Sequence, residues 1–321
     1  MNGGAPHSLV VGVFAMYLDY WRLDFPPFAD DHKLDAFVPT RSATLVMGRV
    51  RFALGAGQAV AGLYGAAGVG KTIITRMILA EYAEARWLTA YLPSPCCQAR
   101  DVLAALSPGS ALLAGAKAGM SDLFSFLESQ AEAGRPVLLA VDDIQATRNS
   151  EFLELLRTLL NVESGGRRAL SLLLAGQPSM DLRLAAASGF DGQLAVRAVV
   201  QPMTNVEAGV YILSRLKAAG SHQGLFTRQA AERVVQLAHG LPRDINRLCE
   251  LSLVIAYGLG LKKIDPATVE MAAADLDLLP GDDAPFFAWS APERPARPEP
   301  EVETVKTEAA GVDILASLPA Q

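Results

Sequence analysis

Residues 59–72, AVAGLYGAAGVGKT, constrain the fold of this chain more than any other stretch. An apolar run from Ala59 to Tyr64 leads into Gly65, four spacer residues and then Gly70, Lys71 and Thr72, the G-x-x-x-x-G-K-[ST] spacing of a phosphate-binding loop. The apolar run suits a buried parallel strand that aims the loop. Glycines at 65, 68 and 70 let backbone N–H groups approach phosphate oxygens with no Cβ in the way. Ile73 to Glu84 has helical periodicity, and a helix N-terminus offers unpaired donors and partial positive charge to an anion. The expected phosphate cradle is therefore Gly65, Ala66, Ala67, Gly68, Val69, Gly70, Lys71, Thr72 and Ile73. Lys71 is expected to reach the β- and γ-phosphates of ATP, and Thr72 to offer its hydroxyl to Mg²⁺.

A second motif lies about seventy residues on, at 136–145, PVLLAVDDIQ. Val137 to Val141 is an unbroken apolar run, as expected of a strand buried on both faces. It ends in Asp142 and Asp143. In parallel α/β sheets ligands sit at the carboxyl ends of strands, so an acidic pair there is placed to serve the phosphate loop. Asp142 is expected in the Mg²⁺ shell, and Asp143 is expected to orient or deprotonate an attacking water.

Three further strands are expected at Trp87–Leu92, Ala169–Ala175 and Leu194–Val200, with helices at Arg41–Gly55, Asp101–Leu106, Met120–Ala133 (N-capped near Ser121) and Phe152–Leu160. Gly165 to Arg168 is expected as an exposed turn. Gln177 follows the fourth strand and is a candidate γ-phosphate sensor. Beyond Pro202 the pattern turns wholly helical, at Val206–Ala219, Arg228–His239, Arg243–Tyr257 and Pro266–Leu276. Arg243, at the head of the third of these, is placed to reach back to a nucleotide, unless it pairs with Asp244. Four regions follow: an N-terminal extension over 1–15 expected to be disordered, an α/β domain over 16–201, a helical lid over 202–279, and a proline-rich acidic tail over 280–321. The aromatic stretch MYLDYWRLDFPPF at 16–28 needs a surface to bury against, or could touch a bound base. Met16 is the expected functional start.

The net charge is −6, of which the tail from Pro280 onward carries −5, so the body is nearly neutral. The tail lacks the apolar content to offset its ordering entropy and is expected to be disordered and dispensable for nucleotide binding. An acidic balance of this kind leaves a DNA partner open, and no basic block argues for one. Cys96, Cys97 and Cys249 form no C-x-x-C pair, which points to a reducing, cytoplasmic setting in which they serve as small apolar groups. The apolar runs Leu9–Leu18 and Leu251–Leu261 are shorter than the ~20 residues of a membrane span.

With those motifs in hand, the chain resembles the AAA+ ATPases of the general secretion pathway A type, whose relatives include the transposition ATPases of the TniB and MuB kind. MYLDYWRLDFPPF, GAAGVGKT, DDIQ, AGQP (175–178) and GLPRDINRLCE (240–250) occur in family order across residues 16–276. The resemblance implies an α/β fold, a P-loop NTPase of the ASCE/AAA+ class with a parallel sheet sandwiched by helices and followed by a small all-α lid. It also implies ATP·Mg²⁺ at their interface and homo-oligomerisation. It carries over Lys71 and Thr72 as phosphate and Mg²⁺ ligands, Asp142 as the Walker-B aspartate, Gln177 as a sensor-1 residue and Arg243 as sensor 2. Two positions depart from the pattern. Asp143 stands where the family usually has Glu, and Gln193 aligns where members carry a candidate arginine finger, leaving Arg183 or Arg197 as substitutes.

These features lead to an ATP-binding regulator or assembly factor with slow hydrolysis, acting on a protein or DNA partner. A nucleotide-dependent DNA-binding matchmaker of the transposition type is the second reading. A small-molecule kinase is the third, with the acidic pair and helical lid against it.

Overall fold

The computed structural model describes residues 16–29, 34–95, 98–107, 119–147, 150–186, 190 and 192–279. The expectations for 1–15, Cys96, Cys97 and the tail at 280–321 fall outside the described residues. The described residues belong to one compact unit.

Five strands build one parallel sheet: β1 (Val60–Tyr64), β2 (Leu88–Leu92), β3 (Val137–Val141), β6 (Leu170–Gly176) and β7 (Leu194–Val199), in the order β2-β3-β6-β1-β7. β1, β3 and the six residues Leu170 and Leu172–Gly176 of β6 are buried, and Ser171 is half-buried. The period-2 geometry of a strand sends alternate side chains to opposite faces, and the two apolar cores follow it. One face presents Val60, Leu139, Val141, Leu172 and Leu174 to helices α4 (Ala99–Leu106), α5 (Met120–Glu132) and α6 (Glu151–Leu159). The other presents Ala61, Leu63, Leu138, Ala140, Leu173 and Ala175 to α2 (Arg41–Gly55) and α3 (Lys71–Glu84). A sheet covered on both faces needs residues that are apolar throughout, which is why these runs lack alternation.

Because β6 lies between β1 and β3, the phosphate loop and the acidic pair do not sit on adjacent strands; the end of β6 falls between them. All five strands run the same way. The loop after β1, Asp142–Asp143 after β3 and Gln177 after β6 therefore emerge at one edge of the sheet.

Several local features differ from the sequence-based expectation. α5 is capped at Gly119, not near Ser121: the Asp122 carboxylate accepts the Gly119 N–H at 2.8 Å. Residues 163–168 form a two-stranded hairpin, β4 (Glu163–Ser164) and β5 (Arg167–Arg168), turned by Gly165 and Gly166 at positive φ. Helix α7 (Met180–Ala186) follows β6.

Helices α8 (Asn205–Ala218), α9 (Arg228–Ala238), α10 (Pro242–Gly258) and α11 (Pro266–Asp275) enclose a third core. The aromatic stretch at 16–28 packs into this helical core, although the expected α/β domain span of 16–201 included it. Residues 16–21 are helical (α1), and Tyr17, Trp21, Leu23 and Phe28 are buried among the helices. Polar atoms seal the contact. Trp21 Nε1 donates to Leu253 O at 3.1 Å, and Tyr17 donates to Glu250 Oε1 at 3.0 Å. Arg215 donates to Pro27 O and Ala29 O at 2.6 and 3.0 Å. The physical reason is that both sheet faces are already covered, while the four-helix layer leaves an apolar side that the aromatics close. Trp21→Ala is expected to cost about 3–5 kcal/mol by cavity formation, and Trp21→Phe about 1 kcal/mol through loss of the indole hydrogen bond to Leu253 O. Denaturant unfolding followed by far-UV dichroism checks the order of the two.

Cys249 is fully buried in the same core, and burial pushes its thiol pKa well up, which leaves it an inert small apolar group. Among the described residues no helix is long and apolar enough to cross a membrane.

Candidate functional site

β1 ends against the loop that the sequence predicts. Gly68 and Gly70 adopt φ of +78° and +100°, a region closed to most side chains. Gly70 is the N-cap of α3 and offers no side chain to its first N–H groups, so those donors are free for an anion. Lys71 opens α3 and folds back, donating from Nζ to Gly65 O at 3.1 Å and to Ala66 O at 2.9 Å. It is 7% exposed. Burial lowers its pKa, opposed by the negative charge of Asp142 and Asp143. A buried ammonium held only by carbonyl dipoles is poised to take up an anionic ligand.

Across the sheet edge, the Asp142 carboxylate is 3% exposed and uses both oxygens. Thr72 Oγ1 donates to Oδ2 at 2.7 Å, Tyr91 donates to the same oxygen at 3.1 Å, and the Asp143 N–H donates to Oδ1 at 2.9 Å. Tyr91 lies on β2, beside β3; burial, with Asp142 adding to it, pushes its pKa up to about 12. Arg76 lies 5.2 Å over its ring. The Thr72 hydroxyl and the Asp142 carboxylate converge as two hard oxygen donors next to the loop. That donor set fits Mg²⁺, which takes one or two protein oxygens and fills the rest of its shell with water and phosphate.

Asp143 sits in the left-handed region, φ 52° and ψ 40°, where the chain leaves the strand for a short 3-10 turn, Ile144–Ala146. Asp tolerates this conformation better than most residues. Gln145 follows on the turn. Its Nε2 donates to Asp143 Oδ1, and its Oε1 accepts from the backbone N–H of Gln177, both at 2.9 Å.

Together these groups line a cavity of about 350 Å³. Gly68 to Ile74 and the residues Asp142, Asp143, Gln145 and Gln177 form one end. The helical layer and the chain preceding α2 form the other, with Phe37, Val38, Met203, Tyr211 and Asn246. Tyr211 donates to Asn246 Oδ1 at 2.9 Å. Gly65 and Ala66 contribute carbonyls to Lys71 and do not line the cavity, whereas Ala67 to Ile73 do. Arg243, at the start of α10, lines the cavity, and its own N–H donates to Gly68 O at 3.3 Å. Asp244 pairs with Arg247 at 3.8 Å, and among the described residues no ion pair joins Asp244 to Arg243.

Four contributors escape the sequence reading. Tyr91 and Gln145 act through hydrogen bonds that only the sheet order creates, although Gln145 belongs to the DDIQ string. Tyr211 and Asn246 carry no motif signal of their own. Neither Arg183 nor Arg197 lines the cavity. Arg197 lies on the outer strand β7 and pairs with Asp181 at 3.4 Å, and Asp181 also accepts the Tyr64 hydroxyl at 2.6 Å.

Residues 56–184 match a family model described as an AAA domain. Over 267 residues the chain is 27% identical to general secretion pathway protein A of Aeromonas hydrophila, covering 81% of this chain and 48% of that protein. The chain thus spans about half the length of that curated relative. Among solved structures, it is similar to the Aeropyrum pernix ORC2 protein in its ADPNP–ADP complexes, with a TM-score of 0.62 at 16% identity, over 78% of this chain and 71% of that one. It is also similar to the Thermotoga maritima RuvB Holliday junction branch migration motor, with a TM-score of 0.53 at 18% identity, over 78% and 73% of the two chains. These two structures share the fold of this chain. Sheet order, loop geometry and the structural neighbours agree on a P-loop α/β fold, residues 56–184 match an AAA domain, and the chain is similar to general secretion pathway protein A.

Proposed function

We propose that this protein binds ATP with Mg²⁺ in the cavity at the sheet edge and hydrolyses it slowly, and that the bound nucleotide switches its contact with a macromolecular partner. The observation that carries this is the joint between α10 and the phosphate loop. The Arg243 N–H rests on Gly68 O, and a Cβ built on Gly68 would lie 3.0 Å from that of Arg243. The loop that cradles phosphates is thus in direct contact with the helical layer. A γ-phosphate that draws in the Arg243 guanidinium shifts the helices with it, and those helices carry the aromatic stretch at 16–28.

In this reading Lys71 neutralises the β- and γ-phosphates, Thr72 and Asp142 hold Mg²⁺, and Gln177 and Arg243 report on the γ-phosphate. Bound Mg²⁺ supplies charge neutralisation at the phosphate oxygens. Asp143 orients a water in line with the γ-phosphorus; the new P–O bond forms as the bond to the β–γ bridging oxygen breaks, and the water's proton passes to solvent or to phosphate. A positive charge from a neighbouring copy of the chain, with Arg197 or Arg183 as candidate, completes the site in a homo-oligomer.

Sedimentation of the full chain with ADP and with a non-hydrolysable ATP analogue tests the switch, combined with filter binding to duplex DNA under both conditions. A larger species with the ATP analogue than with ADP supports it. Equal behaviour with both nucleotides defeats it. ATP-dependent retention of DNA identifies the partner as nucleic acid; no retention alongside nucleotide-dependent assembly leaves a protein partner.

A further inference from the structure

Gln145 holds a position with no assigned role, and its geometry is specific. Its amide spans two strand ends, donating to the Asp143 carboxylate at 2.9 Å on the β3 side and accepting the Gln177 N–H at 2.9 Å on the β6 side. The orientation is fixed by chemistry: a backbone N–H can only donate and an ionised carboxylate can only accept, so the amide fits one way round. The turn that carries it is anchored by Ile144, which is fully buried, and by the Ala146 N–H on Asp143 O at 2.8 Å. β6 leaves room for it. A Cβ on Gly176 would lie 2.6 Å from Gln145 Oε1 and 2.7 Å from Met180 Sδ, so a side chain at 176 would push the amide and the thioether from their places.

We propose that Gln145 is a positioning residue for hydrolysis: it ties the Asp143 carboxylate to the backbone of the γ-phosphate-sensing strand end. The proposal rests on the reading of Asp143 as the water-orienting group. A carboxylate on a free χ1 and χ2 samples several directions. With Oδ1 held by the amide, Oδ2 is left in one place for a water. The link also sets that place relative to Gln177, so the base and the sensor move together. Asp143 is one methylene shorter than Glu, and a short side chain cannot correct by bending what its backbone misplaces. Registration by a neighbour then matters more. The other charged groups around the pair are Asp142, Lys71 and, across the cavity, Arg243.

Three variants of the full chain test this against wild type and Asp143→Asn, with single-turnover hydrolysis and ATP affinity measured separately. Gln145→Ala is expected to slow hydrolysis on the order of tenfold to a hundredfold with ATP affinity within about twofold, since Gln145 acts through Asp143 and not on the phosphates. Gly176→Ala displaces the same amide without removing it and is expected to slow hydrolysis likewise. Gln145→Glu separates positioning from bulk. Gln145→Glu keeps the size of the side chain but sets a carboxylate against Asp143 in place of the amide donor, so it should slow hydrolysis as Gln145→Ala does, again with ATP affinity near wild type. A merely structural role lets Gln145→Glu, which keeps the bulk, hydrolyse at the wild-type rate. If Asp143→Asn is inactive and Gln145→Ala hydrolyses at the wild-type rate, the positioning role is wrong and the Asp143 role stands. If Asp143→Asn hydrolyses at the wild-type rate, both fall.

Discussion

Lys71→Ala is expected to weaken ATP·Mg²⁺ binding at least tenfold in calorimetry, with the fold retained. Its ammonium is held by two loop carbonyls at 3.1 and 2.9 Å, in a buried position where no carboxylate pairs with it directly. A hydrogen bond to a charged group contributes about 1.5–3 kcal/mol, and every 1.4 kcal/mol is a factor of about ten in affinity. Removing the amine leaves the β- and γ-phosphates short of one cation in a site where water cannot substitute fully. The apo protein loses little, because burying an ammonium against carbonyls is costly and its removal relieves that cost. Melting temperature should therefore hold while affinity falls. The pH dependence carries a sign. Burial disfavours the charged amine and lowers its pKa, so in the empty protein the proton is lost at a lower pH than from an ordinary lysine. Only the charged form attracts phosphate, so affinity should fall on the alkaline side sooner than for an exposed lysine, and the Lys71→Ala protein should lack that limb. A folded Lys71→Ala protein with undiminished affinity would remove the assignment of the phosphate loop.

Asp143→Asn is expected to abolish hydrolysis while ATP affinity stays near wild type. In the proposed reading binding rests on Lys71, Thr72 and Asp142, which are unchanged, whereas an amide is a weaker hydrogen-bond acceptor for the attacking water than a carboxylate. Asp143→Glu is expected to raise turnover. The ATPases that the chain resembles usually have Glu here, and a misplacement of about 1 Å can cost on the order of a hundredfold in rate. Asp143 stands at φ 52°, a conformation that Asp accepts more readily than longer residues, and its Oδ1 is engaged by Gln145 at 2.9 Å. If the backbone has adapted to Asp, Glu would overreach, break that bond and slow the reaction. Single-turnover hydrolysis of the three proteins separates the accounts. A fast wild type matched by Asp143→Asn leaves the residue no catalytic part.

Much of the site is legible in the chain because it depends on local geometry. A loop of G-x-x-x-x-G-K-[ST] form needs positive φ at defined steps and a helix immediately after, and both requirements are local, so Gly68, Gly70, Lys71 and Thr72 lie where spacing puts them. The run Val137–Val141 likewise announces a strand covered on two faces, with Asp142 at its end. Those properties are carried by residues adjacent in sequence and follow from φ, side-chain size and hydropathy. The order β2-β3-β6-β1-β7 does not, because nothing within a strand states which strand it pairs with. Only that order sets β6 between the loop and the acidic pair, and so lets Gln145 join Asp143 to Gln177 and Tyr91 reach Asp142. The destination of the aromatic stretch at 16–28 was also closed to sequence. Its burial is foretold by composition, but the choice of the helical core over the sheet was made by the surface left uncovered once α2 to α6 had occupied both faces of the sheet.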